Sequence, residues 1–426
     1  MPNRSDRVGG SVRVPGDKSI SHRALIFAAF ATGRSHVRGI LQSDDVKSTA
    51  TALQRLGWTL PGVGSEMTIE GAGFRSPLPS PAAHLDCGNS GTTTRLMAGV
   101  AAAQPFASRF VGDTSLSKRP MRRVAAPLEA MGARVTFREG HDGLPMTVHG
   151  GALHGIEWTL PVASAQLKSA ILLAGLCGGV SVSVREPAPT RDHTERMLSA
   201  LGVEVRTVKG WITLQPPERL APLDLDVPGD PSSAAFFVAR ALLADAGAIR
   251  VENVLRSPHR DGFLRVVQRM GARVERVGEG DTGGEAIEHL VAHGGARLRG
   301  VHIGRDDVVS MIDEVPMLAV LAARAEGTTE VRGAEELRVK ESDRIAAVVS
   351  NLVAIGVCAH ELPDGLVVEG TDAPLAGRVR TFGDHRIAMA FGVLGASRGC
   401  DIRVDDLQCV SVSYPHFWND LSNVSR

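Results

Sequence analysis

Residues 167–184 read LKSAILLAGLCGGVSVSV: a helical stretch rich in Ala and Leu, a Gly stop, then a short β-type run. The same succession precedes it as RALIFAAFATGRSHVRG (23–39) and TTRLMAGVAAAQPFASRFVG (93–112). It follows as SAAFFVARALLADAGAIRV (233–251), VPMLAVLAARAEGTTEVRG (315–333) and HRIAMAFGVLGASRGCDIRV (385–404). The β-branched markers Val37, Val111, Val182, Val251, Val331 and Val404 recur every 69–80 residues, close to one sixth of the 426-residue chain. Self-similarity at such a period marks a fold assembled from copies of one repeat.

A second marker falls between these copies: a shorter amphipathic helix, a Gly stop and a strand. It reads LQRLGWTL (53–60), LEAMGARVTF (128–137), MLSALGVEVRT (197–207), VVQRMGARVER (266–276) and NLVAIGVCAHE (351–361). Alternating strands follow at MTIEG (67–71), MTVHG (146–150), WITLQ (211–215) and GLVVEG (365–370). Each repeat therefore reads β-α-β-α-β-β.

The sixth copy is cut short after its second helix begins at YPHFWNDL (414–421), and SVRVPGDKS (11–19) echoes LDVPGDPSS (225–233) at mid-chain. The expectation is an α/β protein of two three-repeat domains, 17–227 and 228–426. The N-terminal strand within residues 1–16 is expected to complete the second domain by supplying the shortened sixth repeat. The two Pro-Gly-Asp segments then mark crossovers between domains, although Pro-Gly-Asp is also an ordinary turn sequence.

Composition is consistent with this: 43% of residues are apolar, and the length suits two or three domains. Lys+Arg and Asp+Glu both number 47, so net charge gives no reason to expect a nucleic-acid partner. Cys87, Cys177, Cys358, Cys400 and Cys409 form no C-x-x-C pair. That pattern argues against a disulfide framework or thiolate zinc site and fits a reducing, cytoplasmic compartment. No run approaches 18 apolar residues and residues 1–7 lack an apolar core, so neither a membrane span nor a secretory leader is expected.

Basic residues sit where helix dipoles disfavour them, at helix starts. Lys18 and Arg23 flank the start of the first long helix, and Arg95 lies in the first turns after GNSGTTTR. Arg119 precedes Pro120, which suits the first position of PMRRVAAPLEAMG; Arg344 follows the candidate N-cap Ser342, and Arg386 follows the candidate N-cap Asp384. A single such residue is most simply a solvated surface charge. Five helix starts with the same feature point to N-termini converging on a ligand that carries phosphate and carboxylate. Gly88 and Gly91 would let backbone amides approach that anion.

Two motifs are decoys. GDKS lacks the upstream Gly of a phosphate-binding P-loop, and GEGDTG (278–283) falls at a loop position of the repeat before a poor dinucleotide-site helix. The acid–base candidates are Asp313 and Glu314, opening the helix in MIDEVPML, and Glu341 between Lys340 and Arg344. Each also has a plain structural reading as a helix-start acid or ion-pair partner. His385 reads as positional rather than chemical.

PGDKSISHRAL, GNSGTTTRL, GDTSLSKRPM, SAQLKSAILLAGL, PTRDHTERML, IDEVPML, ELRVKESDRIAA and GDHRIAMAF run in order from residue 15 to 391. Together they closely resemble the 3-phosphoshikimate 1-carboxyvinyltransferase, or EPSP synthase, family. The resemblance implies two inside-out α/β-barrel-like domains of three repeats each, joined by two crossover strands. It implies transfer of the enolpyruvyl group of phosphoenolpyruvate to the 5-hydroxyl of shikimate 3-phosphate, by a monomer that needs no cofactor and no metal.

The resemblance also implies roles. Lys18, Ser19, Arg23, Ser164, Ala165, Gln166, Arg191, Asp313 and Lys340 match contacts to shikimate 3-phosphate. Lys18, Gly91, Arg95, Arg119, Gln166, Arg344, Asp384 and Arg386 match the phosphoenolpyruvate side. Asp313 matches the base for the attacking hydroxyl, and Glu341, with Lys18, the proton donor to C3. One departure is Val412, where some members of the family carry Lys.

Rival readings are a UDP-N-acetylglucosamine enolpyruvyltransferase and a non-catalytic phosphometabolite-binding protein of the same fold. The first family pairs its N-terminal Lys with Asn, whereas Ser19 follows Lys18 here. Against the second, Asp313 and Glu341 would repel an anion that was merely held. An RNA-end-binding relative would want stacking aromatics, and the chain has one Tyr.

Overall fold

A computed structural model of the chain describes residues 6–74 and 84–425. Residues 1–5 of the N-terminal stretch discussed above lie outside the described residues. The protein is α/β with mixed sheets, and it divides into two compact units. The N-terminal unit comprises Gly16–Val227 with Asp281–Glu285; the C-terminal unit comprises Met1–Pro15, Pro228–Gly280 and Ala286–Arg426.

Six helices carry the first marker of the repeat. In the N-terminal unit they are α1 (Lys18–Phe30), α2 (Gly91–Ala102) and α3 (Ala165–Gly178). In the C-terminal unit they are α4 (Pro231–Leu242), α5 (Val315–Ala322) and α6 (His385–Gly395). Their apolar residues leave no polar stripe, and nearly every position beyond the first turn is buried. A helix apolar all round belongs in a core. Five of the six starts have side-chain caps that satisfy an orphan amide: Asp17 on Ile20, Ser90 on Thr93, Ser164 on Leu167, Asp230 on Ser232 and Asp384 on Arg386.

The sheets repeat one scheme: a short strand parallel to the strand after the long helix, then an antiparallel hairpin. Leu85–Asp86 pairs in parallel with Ala107–Val111, which continues to Met146–His149 and Arg134–Phe137. Glu157–Thr159, Val182–Arg185, Trp211–Gln215 and Glu204–Val208 follow the same order, as do His302–Ile303, Thr328–Val331, Gly365–Glu369 and Ala359–Leu362. Leu375–Val379 and Cys400–Val404 form a two-stranded remnant.

Arg7–Val8 and Ser11–Val12 pair in parallel with Ala246–Leu255 of the fourth repeat, and Val8 also bridges antiparallel to Ser425 at the end of the sixth, where the Gly9 amide donates to the Val424 carbonyl oxygen at 3.1 Å. Val8, Val12 and Val14 share one buried core with Phe237 and Val251, and Val12 lies opposite Val251 in the sheet. Reciprocally, Asp224–Asp226, which leads into α4, pairs in parallel with Thr32–Arg38, the strand after α1.

The sixth repeat ends in the helix Phe417–Val424, and Tyr414 and Phe417 pack on Phe237 at ring-centroid distances of 5.9 and 6.1 Å. In the first repeat, 58–60 is not a strand; the next strand is Glu66–Ala72. Residues 278–282 lie in the strand Val274–Thr282, not in a loop, and reach a hairpin turn at Gly283 and Gly284.

The two Pro-Gly-Asp segments sit at the division between units, and each supplies the Asp that caps the following helix. A Cβ on Gly16 would lie 2.1 Å from the Gly39 carbonyl oxygen, a backbone approach that only Gly permits. Among the described residues no helix is long and apolar enough to cross a membrane.

Candidate active site

In the N-terminal unit the starts of α1, α2 and α3 are joined through basic side chains. Lys18 opens α1 and its Nζ lies 3.1 Å from Asp45 Oδ2. Ser19 follows and gives its carbonyl oxygen to Arg23 Nη1 at 2.8 Å. Arg23 is buried, and donates from Nε to Thr194 Oγ1 and from Nη2 to Ser169 Oγ, both at 2.7 Å. All three of these acceptors are uncharged. Burial pulls the Arg23 pKa down to about 10, nearby Arg191 pulls the same way, and Glu195 and Asp17 oppose them. A guanidinium seated on neutral oxygens beside a second Arg keeps its attraction for an incoming anion.

Gly91 begins α2, and the reason for a Gly is local. A Cβ there would lie 2.6 Å from Arg95 Nη1 and 3.4 Å from Arg119 Nη1, so both guanidiniums pass over the bare α-carbon. Arg95 Nη1 also donates to Gln166 Oε1 at 3.0 Å, linking α2 to α3, while Gln166 Nε2 donates to Thr92 Oγ1 at 2.9 Å. Arg119 donates to Asn89 Oδ1 at 2.6 Å. Ser164 caps α3 and Ala165 is its first residue. The Gly88 amide, expected to face the anion, instead donates to Asp86 Oδ1 at 2.9 Å. Lys18, Arg23, Arg95 and Arg119 thus stand at or beside the linked helix starts, Arg191 acts on Arg23, and Asp45 lies beside Lys18. Such a site accepts anions.

The C-terminal unit places a different mixture at its helix starts. Arg344 is buried and holds three carboxylates: Asp384 Oδ2 at 2.8 Å from Nε, Glu341 Oε2 at 2.5 Å from Nη2 and Asp313 Oδ1 at 3.3 Å from Nη1. Burial works against its charge, but Asp384, Glu341 and Asp313 outweigh that and push the pKa above the ordinary arginine value. Arg386 donates from Nη1 to the Asp313 carbonyl oxygen at 3.2 Å, and Lys340 Nζ lies 4.0 Å from Asp313 Oδ1. The Asp313 and Glu341 side chains remain 15% and 20% exposed while Arg344 is 1% exposed. The acids can therefore meet a ligand, and the arginine behind them cannot leave.

Local details differ from the sequence expectation. Asp343, not Ser342, caps the helix Arg344–Ala354, and Ser342 donates instead to Asp384 Oδ2 at 3.1 Å. Pro120 does not open a helix: the helix is Arg122–Ala130, with Met121 before it. Asp313 and Glu314 lie in a 3₁₀ turn, Ile312–Glu314, and α5 starts after it. His385 is the buried first residue of α6.

The EPSP synthase (3-phosphoshikimate 1-carboxyvinyltransferase) family model matches residues 2–421. The chain belongs to that family. It is 44% identical over 426 residues to a 3-phosphoshikimate 1-carboxyvinyltransferase of Sulfurihydrogenibium sp., covering 99% of this chain and 98% of the relative. It is 46% identical over 420 residues to the protein of that description from Xanthomonas euvesicatoria, covering 98% and 94%. A solved EPSP synthase structure from Acinetobacter baumannii superposes with a TM-score of 0.87 at 40% identity, covering 99% of this chain and 97% of the other.

Family membership leaves several contacts that sequence reasoning missed. Asp45, Asn89, Ser169 and Thr194 hold Lys18, Arg119 and Arg23 in place. Thr194 and Ser169 lie inside the motifs PTRDHTERML and SAQLKSAILLAGL, but nothing local marks them as partners of a residue 171 and 146 positions earlier. Asp45 follows the capping Ser43, whose hydroxyl oxygen accepts from the Val46 amide and so accounts for the sequence pattern there.

Proposed function

We propose that this chain transfers the enolpyruvyl group of phosphoenolpyruvate to the 5-hydroxyl of shikimate 3-phosphate, giving 5-enolpyruvylshikimate 3-phosphate and phosphate. The observation that carries this reading is the division of charge. One set of helix starts offers guanidiniums bonded to uncharged oxygens, as two phosphorylated acids require, and the other offers partly exposed carboxylates braced by cations.

In the proposed chemistry the ring hydroxyl attacks C2 of phosphoenolpyruvate while C3 gains a proton, giving a tetrahedral adduct. Asp313 accepts the hydroxyl proton, and Glu341, with Lys18, delivers a proton to C3. Loss of phosphate and of a C3 proton, with the roles reversed, releases the enol ether. Arg344 and Arg386 keep Asp313 and Glu341 oriented, and Arg95 and Arg119 hold the phosphate and carboxylate of phosphoenolpyruvate. Lys18, Ser19, Arg23, Ser164, Ala165, Gln166 and Arg191 hold the shikimate phosphate and ring, with Asp313 and Lys340 on its hydroxyls.

The same reading takes 17–227 and 228–426 as two three-repeat domains of inside-out α/β-barrel type, the second completed by the N-terminal strand. Helices buried on every side support that arrangement. A cytoplasmic monomer acting on small molecules accords with it.

The test is phosphate release from phosphoenolpyruvate. Release that depends on shikimate 3-phosphate supports the transfer. Release that depends on UDP-N-acetylglucosamine instead would point to the sister reaction, and binding without release to a phosphometabolite-binding protein.

A further inference from the structure

Lys168 lies one turn inside α3, near a helix start where a cation gains nothing from the dipole, and its side chain is 1% exposed. Its ammonium is 2.8 Å from Glu186 Oε2 and 2.7 Å from Glu195 Oε1. Those carboxylates bracket the segment 186–195, EPAPTRDHTE, which carries Arg191. Glu186 turns back on the same segment, accepting from the Thr190 amide at 3.4 Å and from the Thr190 hydroxyl. Beside this contact Ser169 and Thr194 bond to each other at 2.8 Å and together receive the Arg23 guanidinium. Lys168–Glu195 and Ser169–Thr194 are therefore adjacent rungs between α3 and the helix His193–Ala200, and Arg23 is seated on the second rung.

A buried ion pair of this kind is weak as a stability device, because well-packed apolar side chains of similar volume often do as well. What it supplies is direction. Burial works against the Lys168 charge, yet Glu195 and Glu186 overcome it and hold its pKa above the ordinary lysine value. Burial also lifts the Glu195 carboxyl, and Lys168 pulls against that rise. Without Lys168, the Glu195 carboxylate is left to act on Arg23, where it would compete with a bound phosphate.

We infer that Lys168 is a positioning residue for the shikimate 3-phosphate side of the reaction, acting through Arg23 and Arg191 by stapling segment 186–195 to α3. This rests on the transfer reading above. The test is steady-state kinetics on the full chain, with each substrate varied separately. Lys168→Met is expected to raise KM for shikimate 3-phosphate about tenfold or more, while kcat and KM for phosphoenolpyruvate stay within about threefold; Lys168→Arg restores most of the loss. Should Lys168→Met fail to fold, Glu186→Gln keeps the Lys168–Glu195 rung, and its expected rise in the same KM is about threefold.

A folded variant with unchanged KM for shikimate 3-phosphate, or equal losses for both substrates, overturns the positioning role alone. A wild-type protein that does not turn over these substrates overturns the transfer reading and this inference with it.

Discussion

Arg344 donates from Nε to Asp384 Oδ2 at 2.8 Å, and both side chains are shielded from water. Asp384 is at once the N-cap of α6 and the partner of the first residue of the helix Arg344–Ala354. One carboxylate therefore locks two helix starts together and holds in place the guanidinium that braces Asp313 and Glu341.

Replacing Asp384 with Asn keeps a capping oxygen but removes the charge beside a buried Arg. We expect a loss of about 3 kcal/mol near neutral pH. Burial alone would raise the Asp384 pKa, but Arg344 overrides it and holds it below the usual carboxylate value of 3.8. The stability it contributes is present above that value and disappears as pH falls further. Denaturation midpoints across pH check this: the gap between wild type and Asp384→Asn should narrow in acid, and a constant gap would contradict it.

His22 is completely buried, and its Nδ1 lies 2.7 Å from Thr49 Oγ1. Burial, followed by Lys18 and Arg23, holds its pKa well below 6.5. The unfolded chain therefore takes up a proton at a pH where the folded one does not, and stability drops as pH falls below 6.5. His22→Gln should flatten that part of the curve. Parallel curves for the two proteins would assign the slope to other groups.

Gly91→Ala places a methyl group against Arg95 Nη1, the flexible end of a side chain, so the fold should tolerate it. The expected cost is in binding: KM for phosphoenolpyruvate rises about tenfold, with KM for shikimate 3-phosphate little changed. Competition kinetics with both substrates would detect the asymmetry. Equal KM values in variant and wild type would mean that residue 91 does not place the guanidiniums.

Asp313→Ala and Glu341→Gln should each lower kcat by about 10²–10⁴ while both substrates still bind. Because the two acids are assigned opposite proton transfers, their pH–rate profiles should lose different limbs. Identical profiles would leave the assignment of base and acid without support.

The long helices were legible because their signals are local: apolar runs, Gly stops and capping residues at fixed offsets. Asp17, Ser90, Ser164, Asp230 and Asp384 all cap within three residues of themselves. The pairing of the N-terminal strand with Ala246–Leu255 was not legible because a two-residue parallel pairing has no local signature; Val8, Val12 and Val14 bury in a core built from residues more than 200 positions away. Ser342 and Asp343 are both good caps by type, and the choice fell to Asp343 once Ser342 turned to Asp384.

Sequence alone determined the repeating elements, the basic residues at helix starts and the identity of the acidic candidates, since each depends on spacing within a few turns. Tertiary structure alone decided which charge meets which. Arg23 rests on neutral hydroxyls while Arg344 is surrounded by carboxylates, although both begin as an Arg near a helix N-terminus. The physical reason is that charge compensation is short-ranged: it depends on atoms within about 4 Å, supplied here by segments that only folding brings together.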